Sequence, residues 1–467
     1  MSKIRKLLKN ISIFGISEFA SKLLVFIMLP FYTKYLSTDD FGNADLVMTV
    51  TNLLIPVFML QIQSAVMRFT IENTQKKKYY FLNGLLITLL GFALLLVLLP
   101  AFKALHLFDG YYFLFYLLYF VTALNSLLAG YAKGLGKLTL IGTVGVINTA
   151  FVVGFNILFL AVLKTGIWGY LLSSIIGTGV SALIYCIFTA KDISLSRKYA
   201  EINTSKELAA FSLPLVPNSV AWWGVSSANK IVIKEYIDSS TLGLYSAASR
   251  IPSIISVLQT IISEAMVLSV LEQYDVSRKD DAYFSVLYKT YSLFSIIVTL
   301  GVIVASKILA LFLFANSFYD AWKYIPFLCL PPLWGSLSGY LGTFYSASKK
   351  NGGLFISTIV GCGVVLAFSL TLVRFWGINA ILYGNIAAYI AIWLYRWLDV
   401  KKHVKIKANM ISDISSWAVL LLLSFGYTRM PNNLSIGFIS GAAIVLIGVI
   451  NIKPAAELIR LVKSRNI

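Results

Sequence analysis

The chain has 467 residues, 58% hydrophobic and only 13% charged, with 39 Lys and Arg against 20 Asp and Glu for a formal net charge of +19. Soluble domains carry about 25% charged residues, so a water-soluble enzyme around one buried core is excluded. The cations sit in short clusters between apolar runs rather than along one face, which argues against a nucleic-acid partner and for loops that orient a membrane protein.

A membrane-crossing helix needs roughly 20 mostly apolar residues. Apolar runs predict spans over 10–32, 44–69, 80–102, 111–131, 139–163, 166–190, 208–234, 241–271, 283–306, 322–346, 353–373, 376–398, 411–428 and 434–451. Helices are required because backbone N–H and C=O groups in hydrocarbon must be satisfied within the segment. The alternating segments of about ten residues that build a membrane β-barrel are missing. The predicted class is therefore an all-α membrane protein of 14 transmembrane helices. Residues 10–32 hold Glu18 and Lys22 and are too long for a signal-peptide core, so they read as the first span.

Cations alternate from loop to loop. Lys3, Arg5, Lys6 and Lys9 precede the first span, and Lys76, Lys77 and Lys78 fill the second loop. Lys133 and Lys137 lie in the fourth, and Lys191, Arg197, Lys198 and Lys206 in the sixth. Later even-numbered loops repeat this with Arg278 and Lys279, Lys349 and Lys350, then Lys401, Lys402, Lys405 and Lys407. The tail carries Lys453, Arg460, Lys463 and Arg465. Loops on the other side hold few, so both termini are expected in the cytoplasm.

The long basic loop 191–207 divides the chain into an N-lobe, 1–190, and a C-lobe, 208–398; residues 399–467 add two helices and a basic tail. Traces of repetition accompany the division. Tyr35 leads to Gly42 as Tyr236 leads to Gly243, and Tyr131 precedes Gly166-Ile167 as Tyr345 precedes Gly377-Ile378. Two pseudo-symmetric six-helix lobes plus two C-terminal helices is a plan used by transporters with internal repeats.

The segment KNISIFGISEFASKLLVFIMLPFYTKYLSTDDFGNADLVMTVTNLL (9–54), with its Pro30-Phe31-Tyr32 exit and its run from Tyr35-Leu36-Ser37 to Phe41-Gly42, resembles bacterial oligosaccharide flippases of the polysaccharide transporter family. That family shares a superfamily with multidrug-and-toxin extruders and the lipid II flippase. The resemblance implies movement of undecaprenyl-diphosphate-linked oligosaccharide from the cytoplasmic to the periplasmic leaflet of a bacterial inner membrane, for O-antigen or capsule assembly. Implied partners are the lipid-linked oligosaccharide, membrane lipids, a glycan polymerase and a chain-length regulator. No enzymatic activity and no cofactor are expected beyond coupling to H⁺ or Na⁺.

Charges well inside spans are the informative residues, since each costs about 2.5–3.5 kcal/mol at a helix centre without a partner or a wet surface. Lys22, Arg250, Arg68 and Lys230 are the candidate diphosphate-binding residues, Arg250 foremost because guanidinium grips phosphate oxygens in a two-pronged fashion. Glu18 and Glu264 are candidates for ion coupling; Glu18 and Lys22, four apart, also read as a structural pair. Lys289 and Arg396, near inner ends, are expected to reach the headgroups. Asn52, Gln61, Gln63, Asn125, Asn148, Asn156, Asn218, Asn229, Gln259 and Asn385 bond neighbouring helices or, with Trp222 and Trp223, contact sugar. Pro214 and Pro217 are the hinge candidates. Cys186, Cys329 and Cys362 lie in apolar stretches, and His106 and His403 are far apart, so no metal site is expected. Alternatives at this stage are a cation-coupled drug exporter, which would want acidic lining residues, and a membrane glycan polymerase or ligase.

Overall fold

The computed structural model describes residues 26–467 except 105–106, 109, 260–261, 264–265, 267–269, 271–280, 349–351, 403, 431–432 and 466–467. Glu18, Lys22 and Glu264 thus lie outside the described residues. Most of those described are helical, and 11 helices are long and apolar enough to cross a membrane. The chain is accordingly a multi-pass membrane protein. It forms two compact units, one of residues Met1–Trp223 with Ser239–Gly243, the other of Gly224–Asp238 with Leu244–Ile467.

In the first unit α1 (Leu29–Tyr35) leads through Ser37 into α2 (Thr38–Phe58). The Ser37 hydroxyl accepts the Asp40 amide at 3.0 Å, and Asp39 and Asp40 complement the positive end of the helix. Next come α3 (Ile62–Glu72), α4 (Lys77–Val97), α5 (Leu99–Ala104), α6 (Tyr112–Gly134), α7 (Leu138–Asn156), α8 (Ile167–Thr189) and α9 (Ile202–Ser212). α6 is the hub, packed against α2, α3, α4 and α8, while α8 also packs along α7. Glycines let these helices approach closely: a Cβ on Gly130 of α6 would lie 2.7 Å from the Gln63 carbonyl of α3, and one on Gly134 2.8 Å from the Thr70 side chain.

At its basic end the unit is clamped by one carboxylate. Asp192 accepts Lys77 at 2.7 Å and Lys137 at 2.8 Å, and its backbone carbonyl accepts the Tyr131 hydroxyl at 2.8 Å. Three cation-rich loops are thereby held together. Burial pushes the Asp192 carboxyl pKa up, but the bonds and charges of Lys137 and Lys77 outweigh it and hold the group below its ordinary value. The linking segment is docked as well. Asn83 of α4 donates to the Tyr199 carbonyl at 2.9 Å and accepts from the Glu201 amide at 3.0 Å and the Ser205 hydroxyl at 2.8 Å.

The helix α10 (Val216–Tyr236) passes from the first unit into the second, and α11 (Ser239–Ala248) begins in the first. The second unit continues with α12 (Asp281–Leu313), α13 (Ile325–Leu328), α14 (Leu330–Ala347), α15 (Gly352–Trp376), α16 (Ile378–Val400), α17 (Met410–Arg429) and α18 (Asn433–Arg465). α15 and α16 form the most extensive pair, α14 lies on α16, and α12 packs on α14, α17 and α18.

The two units share local devices. α8 and α16 both start from a glycine in a conformation closed to other residues: Gly166 at φ 59°, ψ −138° and Gly377 at φ 54°, ψ −136°. The Tyr345 hydroxyl donates to Asp399 near the C-terminal end of α16 at 2.9 Å, much as Tyr131 reaches the segment after α8.

Five expected spans are not single helices; one of them, 80–102, is divided at Leu98 between α4 and α5. Residues 44–69 break at Met59–Gln61, where Leu60 and Gln61 take left-handed φ of 53° and 55°. Residues 208–234 break at a 3₁₀ turn, Leu213–Leu215, because Pro214 has no amide to donate. Residues 241–271 break at 249–251, directly before Pro252. Residues 322–346 become a 3₁₀ stretch, Asn316–Lys323, then α13 and α14, divided at Cys329 before Pro331 and Pro332. Apolar length marks a span in sequence, whereas a break depends on local backbone bonding that hydropathy ignores.

Candidate functional site

Breaks inside membrane helices free backbone polar groups, which hydrocarbon tolerates only where they are buried or wet. Discontinuous helices are also where transporters of repeat architecture place substrate. Arg250 stands in one of these breaks. Its amide reaches the Ala247 carbonyl at 3.1 Å in a three-residue turn, between α11 and the helical residues 252–259. Serines surround it: Ser249 is half-buried, Ser253 and Ser256 are exposed, and the Ser253 hydroxyl donates to the Arg250 carbonyl. This stretch therefore exposes the Ser253 and Ser256 hydroxyls beside a half-buried guanidinium at a helix break.

A second polar face lies on α3, where Gln61, Ser64, Arg68 and Glu72 recur at three- and four-residue spacing and are partly or fully exposed. Arg68 Nε donates to Glu72 Oε1 at 2.8 Å, and its guanidinium lies 4.6 Å from the Phe211 ring centre. A third runs along α10, where Asn218, Trp222, Ser226 and Lys230 are spaced by four; the first three are exposed and Lys230 is half-buried. On α2, Asn52 is exposed.

The break in α2–α3 and the break before α10 are tied together within the first unit. Gln63 Nε2 donates to Gln61 Oε1, Gln61 Nε2 donates to the Ser219 hydroxyl, and Ser219 donates to the Leu215 carbonyl at 3.2 Å. Trp223 Nε1 donates to the Thr49 carbonyl at 2.9 Å and fixes α10 against α2. Pro214 sits in the 3₁₀ turn and Pro217 in the first turn of α10.

Arg396 is not at the headgroups as its position near a helix end suggests. It is 3% exposed, and its guanidinium turns inward to the Ser357 hydroxyl and the Ser338 carbonyl, both at 2.9 Å. Two polar neighbours on α15 and α14 outcompete the interface. Sequence reading also missed Asp413, buried on α17 and accepting the Ser292 hydroxyl at 2.9 Å, and the buried Asp45 of α2. Their signal was available, since both are acids inside apolar stretches, but their place near span starts made them look like loop residues. Among the described residues no cluster of His, Cys, Asp or Glu is arranged to hold a metal ion.

No curated protein matches the chain significantly in sequence. Similar folds occur among solved structures. The lipid II flippase MurJ in an inward closed conformation aligns with a TM-score of 0.72 at 16% identity, over 94% of this chain and 98% of that one. An inward-facing multidrug resistance transporter of the MATE family, in the MOP superfamily, aligns with a TM-score of 0.68 at 14% identity, over 82% and 96%. A MOP superfamily transporter from Pyrococcus furiosus, described as having a binding pocket of reversed polarity, gives 0.53 at 15% identity, over 85% and 94%. The fold is thus that of flippases and multidrug transporters. Residues 7–269, more than half of the chain, match the model of one family, and the chain belongs to the polysaccharide biosynthesis protein family.

Proposed function

We propose that the protein is a flippase that carries an undecaprenyl-diphosphate-linked oligosaccharide from the cytoplasmic to the periplasmic leaflet of a bacterial inner membrane. Both termini lie in the cytoplasm in this reading, with 1–190 and 208–398 as rocking lobes joined by 191–207. Arg250, Lys230, Arg68 and Lys22 receive the diphosphate, Glu18 and Glu264 handle a coupling H⁺ or Na⁺, and Pro214 and Pro217 bend. A glycan polymerase and a chain-length regulator act on the product. The observation that carries the reading is Arg250, a permanent cation set in a helix break among outward serines, in a chain of this family. An anionic cargo suits that lining better than the organic cations of a drug exporter. Outward movement of a diphosphate with two charges gains about 4–5 kcal/mol at 100 mV, so a membrane potential contributes without ATP.

The test is surface glycan display in a strain that depends on this protein, with membrane levels of each variant matched. Arg250→Ala is expected to abolish display, and Arg250→Lys to restore it only in part, because ammonium lacks the two-pronged geometry. Full display by Arg250→Ala and Lys22→Ala overturns the cationic route.

A further inference from the structure

Resting on the flippase reading, we infer that Gln61, Asn218, Ser219 and Trp222 form a neutral sugar subsite where two broken helices of the first unit meet, taking glycan hydroxyls while cations elsewhere hold the diphosphate.

The argument starts from the backbone. Leu60 and Gln61 are two consecutive non-glycine residues in the left-handed region, a conformation costing of order 1 kcal/mol or more each that persists only when its surroundings enforce it. The adjoining helices do enforce it, since Gly91 of α4 lies against the Phe58 carbonyl and Gly130 of α6 against that of Gln63. The result is an amide side chain, Gln61, presented from inside a span rather than folded into a helix.

Its bonds run in one direction, from Gln63 through Gln61 and Ser219 to the Leu215 carbonyl. That relay holds the two breaks together, and it leaves Gln61 and Ser219 further donor and acceptor capacity. On α10, Asn218 and Trp222 are four apart, so they share a face whose flank carries Ser219, and Trp222 is 37% exposed. The Trp223 bond to Thr49 sets the rotation of the helix and keeps that face outward.

The chemistry of the four side chains selects the ligand. Two amides, a hydroxyl and an indole carry no charge. The nearest cation on the α3 face, Arg68, stands seven residues, about two helical turns, from Gln61. Such a surface has nothing to offer a phosphate beyond weak dipoles. A sugar hydroxyl, in contrast, donates and accepts as these groups do, and the CH face of a pyranose packs on an aromatic ring. The sequence offered ten dispersed amides without ranking them; the two breaks bring Gln61 against Ser219, the residue after Asn218.

The test uses the purified full-length protein in lipid nanodiscs and two probes, undecaprenyl diphosphate and undecaprenyl diphosphate bearing one N-acetylhexosamine, with binding measured by thermophoresis. The wild type is expected to bind the glycosylated lipid more tightly. Ser219→Ala and Trp222→Ala are each expected to weaken that binding roughly 3- to 10-fold, with the bare lipid unaffected as a control for folding. Trp222→Phe should retain most of the affinity, and Arg250→Ala should weaken both probes. A wild type that does not distinguish the probes overturns the subsite, as do subsite variants that weaken both probes equally or neither. The flippase reading survives these results as long as Arg250→Ala weakens both probes. Failure of the wild type to bind either lipid overturns both.

Discussion

α4 and α10 are each 21 residues long, and each leaves part of its surface exposed, with opposite chemistry. The exposed face of α4 is Leu86, Leu89, Leu90, Leu94 and Val97. Over its first three turns α10 exposes Asn218, Trp222 and Ser226. Lipid accepts the first surface at no cost and penalises the second, whose amide, indole N–H and hydroxyl lose their water there. An uncovered surface in a membrane protein therefore has two meanings, and side-chain chemistry distinguishes them. α15, exposing Ile359, Val360, Leu370 and Phe375, sides with α4; α3 and the stretch around Arg250 side with α10.

The comparison is sharpest where a charge is added. Leu90→Arg, at the centre of the lipid-type face, is expected to cost about 2.5–3.5 kcal/mol in membrane insertion. Ser253→Arg, on the water-type face beside Arg250, should insert normally. The membrane-integrated fraction of each variant measures this, and equal losses at both positions would erase the distinction between the two faces.

A smaller effect concerns the basic end of the first unit, where water rather than lipid surrounds the charges. Asp192→Asn removes two ion pairs, and an expected loss of about 1 kcal/mol is read from the unfolding midpoint in detergent. The folded-state pKa of Asp192 is lowered. Its contribution is therefore complete above the ordinary carboxylate range and disappears as pH falls through the lowered value. The stability gap between wild type and Asp192→Asn should close in acid and stay constant through neutral pH. A gap that widened in acid would reverse the assigned role.

The smallest change is expected from Phe375→Ala. This side chain is 79% exposed near the end of α15 and packs on little of the protein, so stability should shift by less than about 0.5 kcal/mol. A larger loss would mean that the surface is covered by protein rather than lipid.

Much of this was written in the sequence, and the exceptions are instructive. The run Lys77–Val97 needed only its leucines to be recognised as a helix. Gly166 and Gly377 stood out as paired through the repeated order of a Tyr, an apolar run and Gly-Ile, and both take backbone angles that suit glycine. Pro214 announced its break by lacking an amide. Leu60–Gln61 did not, for nothing in those residue types favours a left-handed pair; glycines 30 and 69 positions away set it, through packing that no local reading captures. Arg250 was conspicuous as a charge, but its place outside regular helix follows from Pro252 and had to be seen. Arg396 had the same outward look as a residue destined for headgroups, and its two inward partners, Ser338 and Ser357, are distant in sequence and invisible to it.

The most direct test of the division into wet and lipid-facing surfaces is thiol labelling in whole membranes. In a background lacking Cys186, Cys329 and Cys362, single cysteines replace Ser226, Ser253 and Ser256 on one side of the comparison and Leu90 and Val360 on the other. Water-soluble maleimide should modify the first three and spare the last two, because a thiol ionises and reacts only where water reaches it. Labelling of Leu90→Cys and Val360→Cys with protection of the three serine positions would contradict the account at its base.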